Sequence, residues 1–418
     1  MTQNLHHHTF DNGLTLLAEP MRGVESAAFT ILMPAGAIYD PQDRFGLAGF
    51  TCEMTLRGCG SRDARKFIDD LETLGVEHGE GVSDSHTSFG GATLAENIPA
   101  ALEIFADLVR RPHLPEDKIE PSRQVMFQEL RGIEDDPAQK AMQELKRRHL
   151  PSPFGKPASG DVESVTKIQI DDVRKFYENS YRPNGCLIGF AGRIDWDETL
   201  KLVEKLFGDW QPGPERSVVS QSRIGGYANL PYDSNQTQVS LAYPSVPYAH
   251  EDYYRASASV GVLSSGMSAR LFTEVREKRG LCYSVYASYH SLKKTGSVFC
   301  YAGTSADRAQ ETLDVTIQEL ERLSEGIEDD ELDRLKARVR SALVMQQEST
   351  SARTAAIVRD WYFLNRIRSL EEIESRLEAL TRDDINDYVA KHPAQDFTVV
   401  TLGPSPLEVN LGVSASEA

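Results

Sequence analysis

Apolar positions recur along this chain at two spacings, one typical of strands and one typical of helices. Residues 9–20 and 27–33 are strand-like, and the turn signal Asp11-Asn12-Gly13 interrupts the first of them. Residues 43–58 and 62–74 carry apolar side chains at helical spacing. We therefore predict a strand hairpin followed by two helices at the start of the chain.

The order of predicted elements occurs twice. A strand, a helix and two paired strands in the first half have counterparts in the second, at residues 27–33 and 237–243, 43–58 and 252–263, and 76–94 and 282–303. Residues 211–232 lie between the repeats and are rich in Pro, Gly and Ser, as linkers often are. The sequence predicts an α+β fold with an N-terminal half (1–210), a linker (211–232) and a C-terminal half (233–418).

The composition of the chain argues against a nucleic-acid-binding or membrane protein. The chain has 418 residues and a formal net charge of -18, which disfavours binding to nucleic acid or to anionic membranes. No stretch approaches the roughly 20 apolar residues that a membrane helix needs. Five cysteines, an odd number without a C-x-x-C pair, fit a reduced cytoplasmic protein.

Residues 46–58 read G-L-A-G-F-T-C-E-M-T-L-R-G. This segment resembles the G-[IL]-A-H-F-L-E-H-M-x-F-x-G motif of the pitrilysin and mitochondrial-processing-peptidase family of zinc peptidases. Residues 34–40, 153–160 and 181–184 resemble further motifs of that family in the same order, so the resemblance covers nearly the whole chain. It implies two similar halves, each a mostly antiparallel sheet packed with helices, which enclose a cavity.

The residues that would bind zinc do not match. The family's H-x-x-E-H motif supplies two zinc ligands and a general base from one helix, and its positions here are Gly49, Cys52 and Glu53. A further family ligand corresponds to Glu129, and a supporting glutamate corresponds to Ser122. The resemblance therefore implies a degenerate zinc motif, and we expect no metal in this chain.

Two interpretations of these residues stay open. Cys52, Glu53 and Glu129 could form a different metal site, or they could be the remnant of a lost one. Neighbouring residues on a helix point about 100° apart, so Cys52 and Glu53 are poorly placed to share a metal ion.

A second motif is intact. Residues 264–285 resemble the family segment in which an arginine and a tyrosine, seven residues apart, bind the substrate backbone and stabilise the oxyanion. Arg276 and Tyr283 match those positions. Stabilising an oxyanion requires hydrogen-bond donors aimed at the developing charge, and both residue types supply them. Taken singly, Arg276 could be a surface residue and Tyr283 a buried strand residue.

Ser88, Phe89 and Gly90 lie where family members have an edge strand that adds the substrate peptide to the sheet. Glycine in a strand allows close approach of another backbone, although it is also compatible with a β-bulge. The resemblance implies a peptide-binding edge at these residues.

Taken together, the intact motif and the degenerate one resemble the subunits of two-chain family peptidases that have lost H-x-x-E-H. The hypothesis is a heterodimer in which a homologous chain holds the zinc, and Arg276 and Tyr283 act on its peptide substrate in trans. This chain would need no cofactor of its own, and alone it could form a homodimer.

Two alternatives differ in class. One is an inactive structural or peptide-binding homologue, like the core subunits of respiratory complex III that share this fold. The other is a self-sufficient zinc peptidase, for which the sequence contains no H-x-x-E-H or H-E-x-x-H motif.

Overall fold

The computed structural model describes residues 3–410. Contacts divide the chain into two compact units, and each unit takes segments from both the earlier and the later part of the sequence. The first unit contains the residues up to Gly132, Lys156–Ser220 and Met345–Leu370. The second contains Ile133–Gly155, Gln221–Val344 and the residues from Glu371 onward.

Each unit is built around one sheet. The strands of the first unit are β1 (His6–Thr9), β2 (Thr15–Pro20), β3 (Ser26–Met33), the short pair β4 (Gly58–Cys59) and β5 (Arg62–Asp63), β6 (Glu77–Val82), β7 (Thr87–Leu94) and β8 (Leu187–Gly192). Those of the second are β9 (Tyr227–Pro231), β10 (Gln236–Ser245), β11 (Cys282–Ser291), β12 (Gly296–Ser305) and β13 (Thr398–Gly403).

The two sheets share one topology. The first has the order β1-β2-β8-β3-β7-β6, and the second, read from its parallel edge, has the order β9-β13-β10-β12-β11. In each sheet one pair is parallel, β2 with β8 and β13 with β9, and the other pairs are antiparallel. When β1 is left out, the two sheets have the same strand order and the same pattern of parallel and antiparallel pairs. The prediction of an α+β fold is confirmed, and its two sheets share one topology, but the compact units are not the continuous halves 1–210 and 233–418.

Helices pack on these sheets. The α-helices of the described residues are α1 (Leu47–Thr55), α2 (Ala64–Thr73), α3 (Ile98–Arg110), α4 (Ile119–Glu134), α5 (Pro137–His149), α6 (Val162–Lys167), α7 (Ile170–Ser180), α8 (Trp196–Phe207), α9 (Tyr253–Ser264), α10 (Ala309–Arg322), α11 (Asp329–Gln347), α12 (Thr350–Leu364), α13 (Leu370–Glu378) and α14 (Arg382–Lys391). Within residues 3–410, none has the length and apolar character of a membrane span.

Helix α12 covers one face of the first sheet, although it lies near the end of the sequence. It packs on β2, β3 and β8. Its Arg353, buried at 2% exposure, donates from Nε and Nη2 to Glu19 Oε2 on β2, at 2.9 and 2.7 Å. A Cβ atom on Gly189 would lie 2.4 Å from Val358 Cγ2, so glycine at this position lets the helix approach the sheet closely.

Helix α5 covers one face of the second sheet, although it belongs to the first half of the sequence. It packs on β10 and β13. Its buried His149 hydrogen bonds through Nδ1 to Thr398 Oγ1 at 3.0 Å and through Nε2 to Ser297 Oγ at 3.1 Å. Burial, with a smaller contribution from Arg223, lowers the pKa of His149 to about 3. The imidazole is therefore neutral at physiological pH.

The segment predicted as a linker is only partly irregular. Its last residues form β9, which pairs in parallel with β13. This strand was missed because it is short and ends at Pro231, and because its pairing partner is far away in sequence. Residues 211–226 have no regular helix or strand.

We expect limited proteolysis to cut first within residues 217–222, which are mostly exposed and irregular. The two fragments should then stay together, because α5 on the N-terminal fragment packs in the second unit and α12 on the C-terminal fragment packs in the first. Size-exclusion chromatography of the nicked protein, with denaturing gels of its peak, tests this. Separate elution of the fragments under native conditions would contradict it.

Candidate functional site

Helix α1 carries the residues that resemble a degenerate zinc motif, and its first turn is held by a buried carboxylate. Asp40 accepts hydrogen bonds from the backbone N–H groups of Gly46 and Ala48, both at 2.8 Å. Its burial outweighs these donors and raises the pKa of Asp40 to about 7. Gly46 precedes the helix with φ of +88°, a left-handed conformation that favours glycine.

The position of the first motif histidine is closely packed by backbone. A Cβ atom on Gly49 would lie 2.6 Å from the carbonyl oxygen of Ala158 and 3.3 Å from Met126 Cε. The same loop meets the start of α1, because a Cβ on Gly160 would lie 2.2 Å from the Phe45 carbonyl oxygen. A side chain at position 49 therefore has no room without a shift of the backbone.

The other two motif positions are also unsuited to zinc. Cys52 is 4% exposed, and burial, reinforced by the charges of Glu80 and Glu53, raises the pKa of its thiol. A thiol must lose its proton to bind zinc, and this environment opposes that loss. Glu53 is engaged elsewhere, in an ion pair with Arg57, whose Nε also donates to Ser122 Oγ on α4 at 3.1 Å.

Glu129, the remaining candidate ligand, lies on the same helix as Ser122 and is exposed. Across residues 3–410, no group of three or more His, Cys, Asp or Glu side chains is arranged to hold a metal ion. Gly49, Cys52, Glu53 and Glu129 do not fit a zinc ion, which needs three well-placed, deprotonated ligands and an open position for water.

Arg276 and Tyr283 are brought together by two backbone irregularities. Arg276 lies in a π-helix, Phe272–Glu277, that is anchored by the buried Val275. Tyr283 lies at a β-bulge, because Cys282 pairs with Thr304 and Ser284 with Gly303, which leaves Tyr283 without a partner on β12. Both irregularities are frequent at functional sites, where they redirect side chains.

The guanidinium of Arg276 lies against two aromatic rings. Its Cζ is 4.7 Å from the centroid of Phe272 and 5.2 Å from that of Tyr283. Within the described chain it forms no ion pair, whereas Glu274 pairs with both of the neighbouring cations, Lys278 and Arg279. Tyr283 is 85% exposed. Tyr283 is thus open to solvent, and the half-buried Arg276 beside it has no ion-pair partner among the described residues.

The predicted peptide-binding edge needs a correction. Ser88, Phe89 and Gly90 lie in β7, which pairs with β3 on one side and with β6 on the other, so they do not form an edge. The edge of the first sheet is β6. Both strands are visible in the sequence, but their order in the sheet depends on long-range pairing that the local pattern does not encode.

Sequence reasoning missed two contacts. Phe272 supports the guanidinium of Arg276, and Arg57 pairs with Glu53. Each contact joins residues four apart, a spacing that places side chains on one side of a helix. That spacing was the available signal for both.

Comparisons with known proteins place the chain in a family. The model of the insulinase family, peptidase family M16, matches residues 17–157, and the model of the peptidase M16 inactive domain matches residues 167–339. The chain belongs to peptidase family M16. The resemblance to the pitrilysin family seen in the sequence is thereby confirmed.

Similar proteins extend over the full length. An uncharacterized zinc protease of Rickettsia felis is 27% identical over 97% of this chain and 99% of its own, and one of Bacillus subtilis is 26% identical over 95% and 98%. The peptidase M16 inactive domain from Pseudomonas fluorescens has a TM-score of 0.89, with 21% identity over 97% of this chain and 100% of its own. A chain of complex III2 from Candida albicans has a TM-score of 0.82, with 18% identity over 96% of both chains.

Gly49→Ala should destabilise the protein by about 1–3 kcal/mol, because the added methyl group meets the Ala158 carbonyl and overpacking costs energy of that order. Gly132→Ala is the matched control, since Gly132 is also helical but has open space around its Cβ position. That change should stabilise the protein slightly through helix propensity. Thermal unfolding of both variants tests this, and an unchanged Gly49→Ala protein would show that the packing is loose.

The purified chain should contain no stoichiometric zinc and should cleave no peptide by itself, because the residues at the motif do not fit the ion. Metal analysis and a fluorogenic peptide assay test this in a variant with His6, His7 and His8 changed to serine, since those residues could bind stray metal. Stoichiometric zinc with chelator-sensitive cleavage would contradict it.

Proposed function

We propose that this chain is the non-zinc subunit of a two-chain zinc-dependent peptidase, in which it binds the peptide and supplies Arg276 and Tyr283 to the active site of its partner. The partner would be a homologous chain with an intact H-x-x-E-H motif, and the zinc would belong to it. Association as a heterodimer is part of this proposal.

The observation that carries the proposal is the backbone geometry that brings Arg276 and Tyr283 together. A π-helix and a β-bulge are costly irregularities to maintain for two unrelated surface residues. Here they bring a guanidinium and an exposed phenol together, with the charge of Arg276 left free for an anionic group. Donors arranged in advance around a developing oxyanion stabilise the transition state of peptide hydrolysis.

The residues of α1 support a complex in which another chain supplies the metal and the base. Gly49 and Cys52 provide neither a zinc ligand nor a carboxylate base, and the space beside Gly49 is filled. Hydrolysis that uses Arg276 and Tyr283 therefore needs the metal and the base of another chain.

Strand β6 provides a surface for an extended peptide. Among the described strands it pairs with β7 alone, and its residues from Glu77 to Gly81 are exposed. A Cβ on Gly79 would meet nothing within 4 Å. An open edge with so little side-chain obstruction favours addition of a peptide strand through backbone hydrogen bonds.

An inactive structural or peptide-binding homologue is the second candidate. The packed backbone beside Gly49 favours it, because that packing gives the chain a stable α1 without any metal. The two candidates differ in what they require of Arg276 and Tyr283.

Tyr283→Phe, mixed with the zinc-bearing partner, should lower turnover by about 100- to 1000-fold, the usual effect of losing one oxyanion donor. Arg276→Ala should lower it as well, and should also weaken peptide binding because arginine holds the backbone. Turnover of a fluorogenic peptide and complex formation by size-exclusion chromatography are measured separately for each variant.

Arg279→Ala is the matched control, because Arg279 is an arginine of the same segment that already pairs with Glu274. It should leave turnover nearly unchanged. Full activity of the Arg276→Ala/Tyr283→Phe protein in an intact complex would contradict the proposed function and favour the structural homologue.

A further inference from the structure

Arg57 lies in the turn after α1, four residues beyond Glu53, and its guanidinium reaches back over the helix. It forms an ion pair with Glu53 Oε1 through one terminal nitrogen and donates from Nε to Ser122 Oγ at 3.1 Å. Ser122 Oγ in turn lies 3.5 Å from Glu53 Oε1. The three side chains form a closed triangle that joins α1 to α4.

These contacts occur where family members hold their metal. Glu53 occupies the position of the second motif histidine, and Ser122 that of the supporting glutamate. The side chains of Glu53 and Arg57 are only 17% and 26% exposed, and Ser122 is fully buried. A carboxylate in such a place is destabilising unless a cation is nearby.

The groups around Glu53 increase its need for a nearby cation. Glu80 on β6 adds a second negative charge close to Glu53, and Cys52 is a buried thiol beside it. Burial raises the pKa of Glu53 above its ordinary value, with a small addition from Glu80, and the charge and hydrogen bond of Arg57 oppose that rise. A planar guanidinium suits the role because it is permanently charged and donates several hydrogen bonds in fixed directions.

We propose that Arg57 takes the place of a metal ion in this chain: its guanidinium neutralises Glu53 and joins α1 to α4 through Ser122, so that the remnant of the site keeps its shape without a metal. The same positive charge opposes the entry of a divalent cation. This inference holds whether or not the chain works with a partner.

A double-mutant cycle in the full chain tests it. Arg57→Met keeps the aliphatic stem but removes the charge, and it should lower Tm by about 3–6 °C, because it leaves a half-buried carboxylate unpaired. Glu53→Gln should cost less, and the double variant should recover most of the loss, since no charge is then stranded. Arg57→Lys should be intermediate, because lysine restores the charge but not the bond to Ser122.

Arg65→Met is the matched control. Arg65 pairs with Asp69 at the same spacing in the same unit, but its side chain is 82% exposed. Loss of this exposed pair should change Tm by about 1 °C or less. A loss in Arg57→Met no larger than in the control, or equal losses with and without Glu53, would overturn the proposal.

A metal measurement separates an arginine-held site from a metal-held one. With His6, His7 and His8 changed to serine, neither EDTA nor zinc sulfate should shift the Tm of the otherwise wild-type chain. A fall in Tm with EDTA, or a rise with equimolar zinc, would show that a metal ion holds the two helices and would overturn the proposal.

Discussion

Each sheet buries both faces of its central strands, and in each case one of the covering helices comes from the other half of the sequence. Residues of β8 and β13 are buried throughout, so a sheet covered on one side only would leave a broad apolar surface in water. Helix α12 covers the first sheet and fixes its position with the buried Arg353–Glu19 ion pair, and α5 covers the second around His149. This requirement for covering helices explains why the compact units do not coincide with two continuous halves of the chain.

The two segments that carry the family motifs differ in backbone regularity and packing. The segment around Arg276 keeps irregular backbone that is hard to explain by packing alone, whereas α1 is closely packed and fully regular. At Gly49 the loss of a side chain and the approach of the Ala158 carbonyl belong together, because either would be unfavourable without the other. The segment that resembles the zinc motif is thus a well-packed part of the first unit, with backbone contact at Gly49 and an ion pair at Glu53.

Much of the fold could be predicted from the sequence, because it depends on local patterns. The repeated element order, the turn at Asp11-Asn12-Gly13 and the helices with regular apolar spacing were all visible. Properties that depend on pairing between distant residues were not visible in the sequence. These are the position of β6 rather than β7 at the sheet edge, and the packing of α5 in the second unit and of α12 in the first. At the site, Arg276 and Tyr283 could be identified from their motif, but the backbone that unites them could not, since neither a π-helix nor a bulge has a distinct local signature here.

The late position of α12 has a consequence for synthesis of the protein. Strand β8 ends at Gly192 and α12 at Leu364, so the central strands of the first sheet leave the ribosome well before the helix that covers them. At translation rates of about 5–20 residues per second, the interval is roughly 10–30 s. During that time the face of the nascent sheet around Leu17 and Leu187 is open to other chains and to chaperones, and the first unit completes its core only when nearly the whole polypeptide has been made.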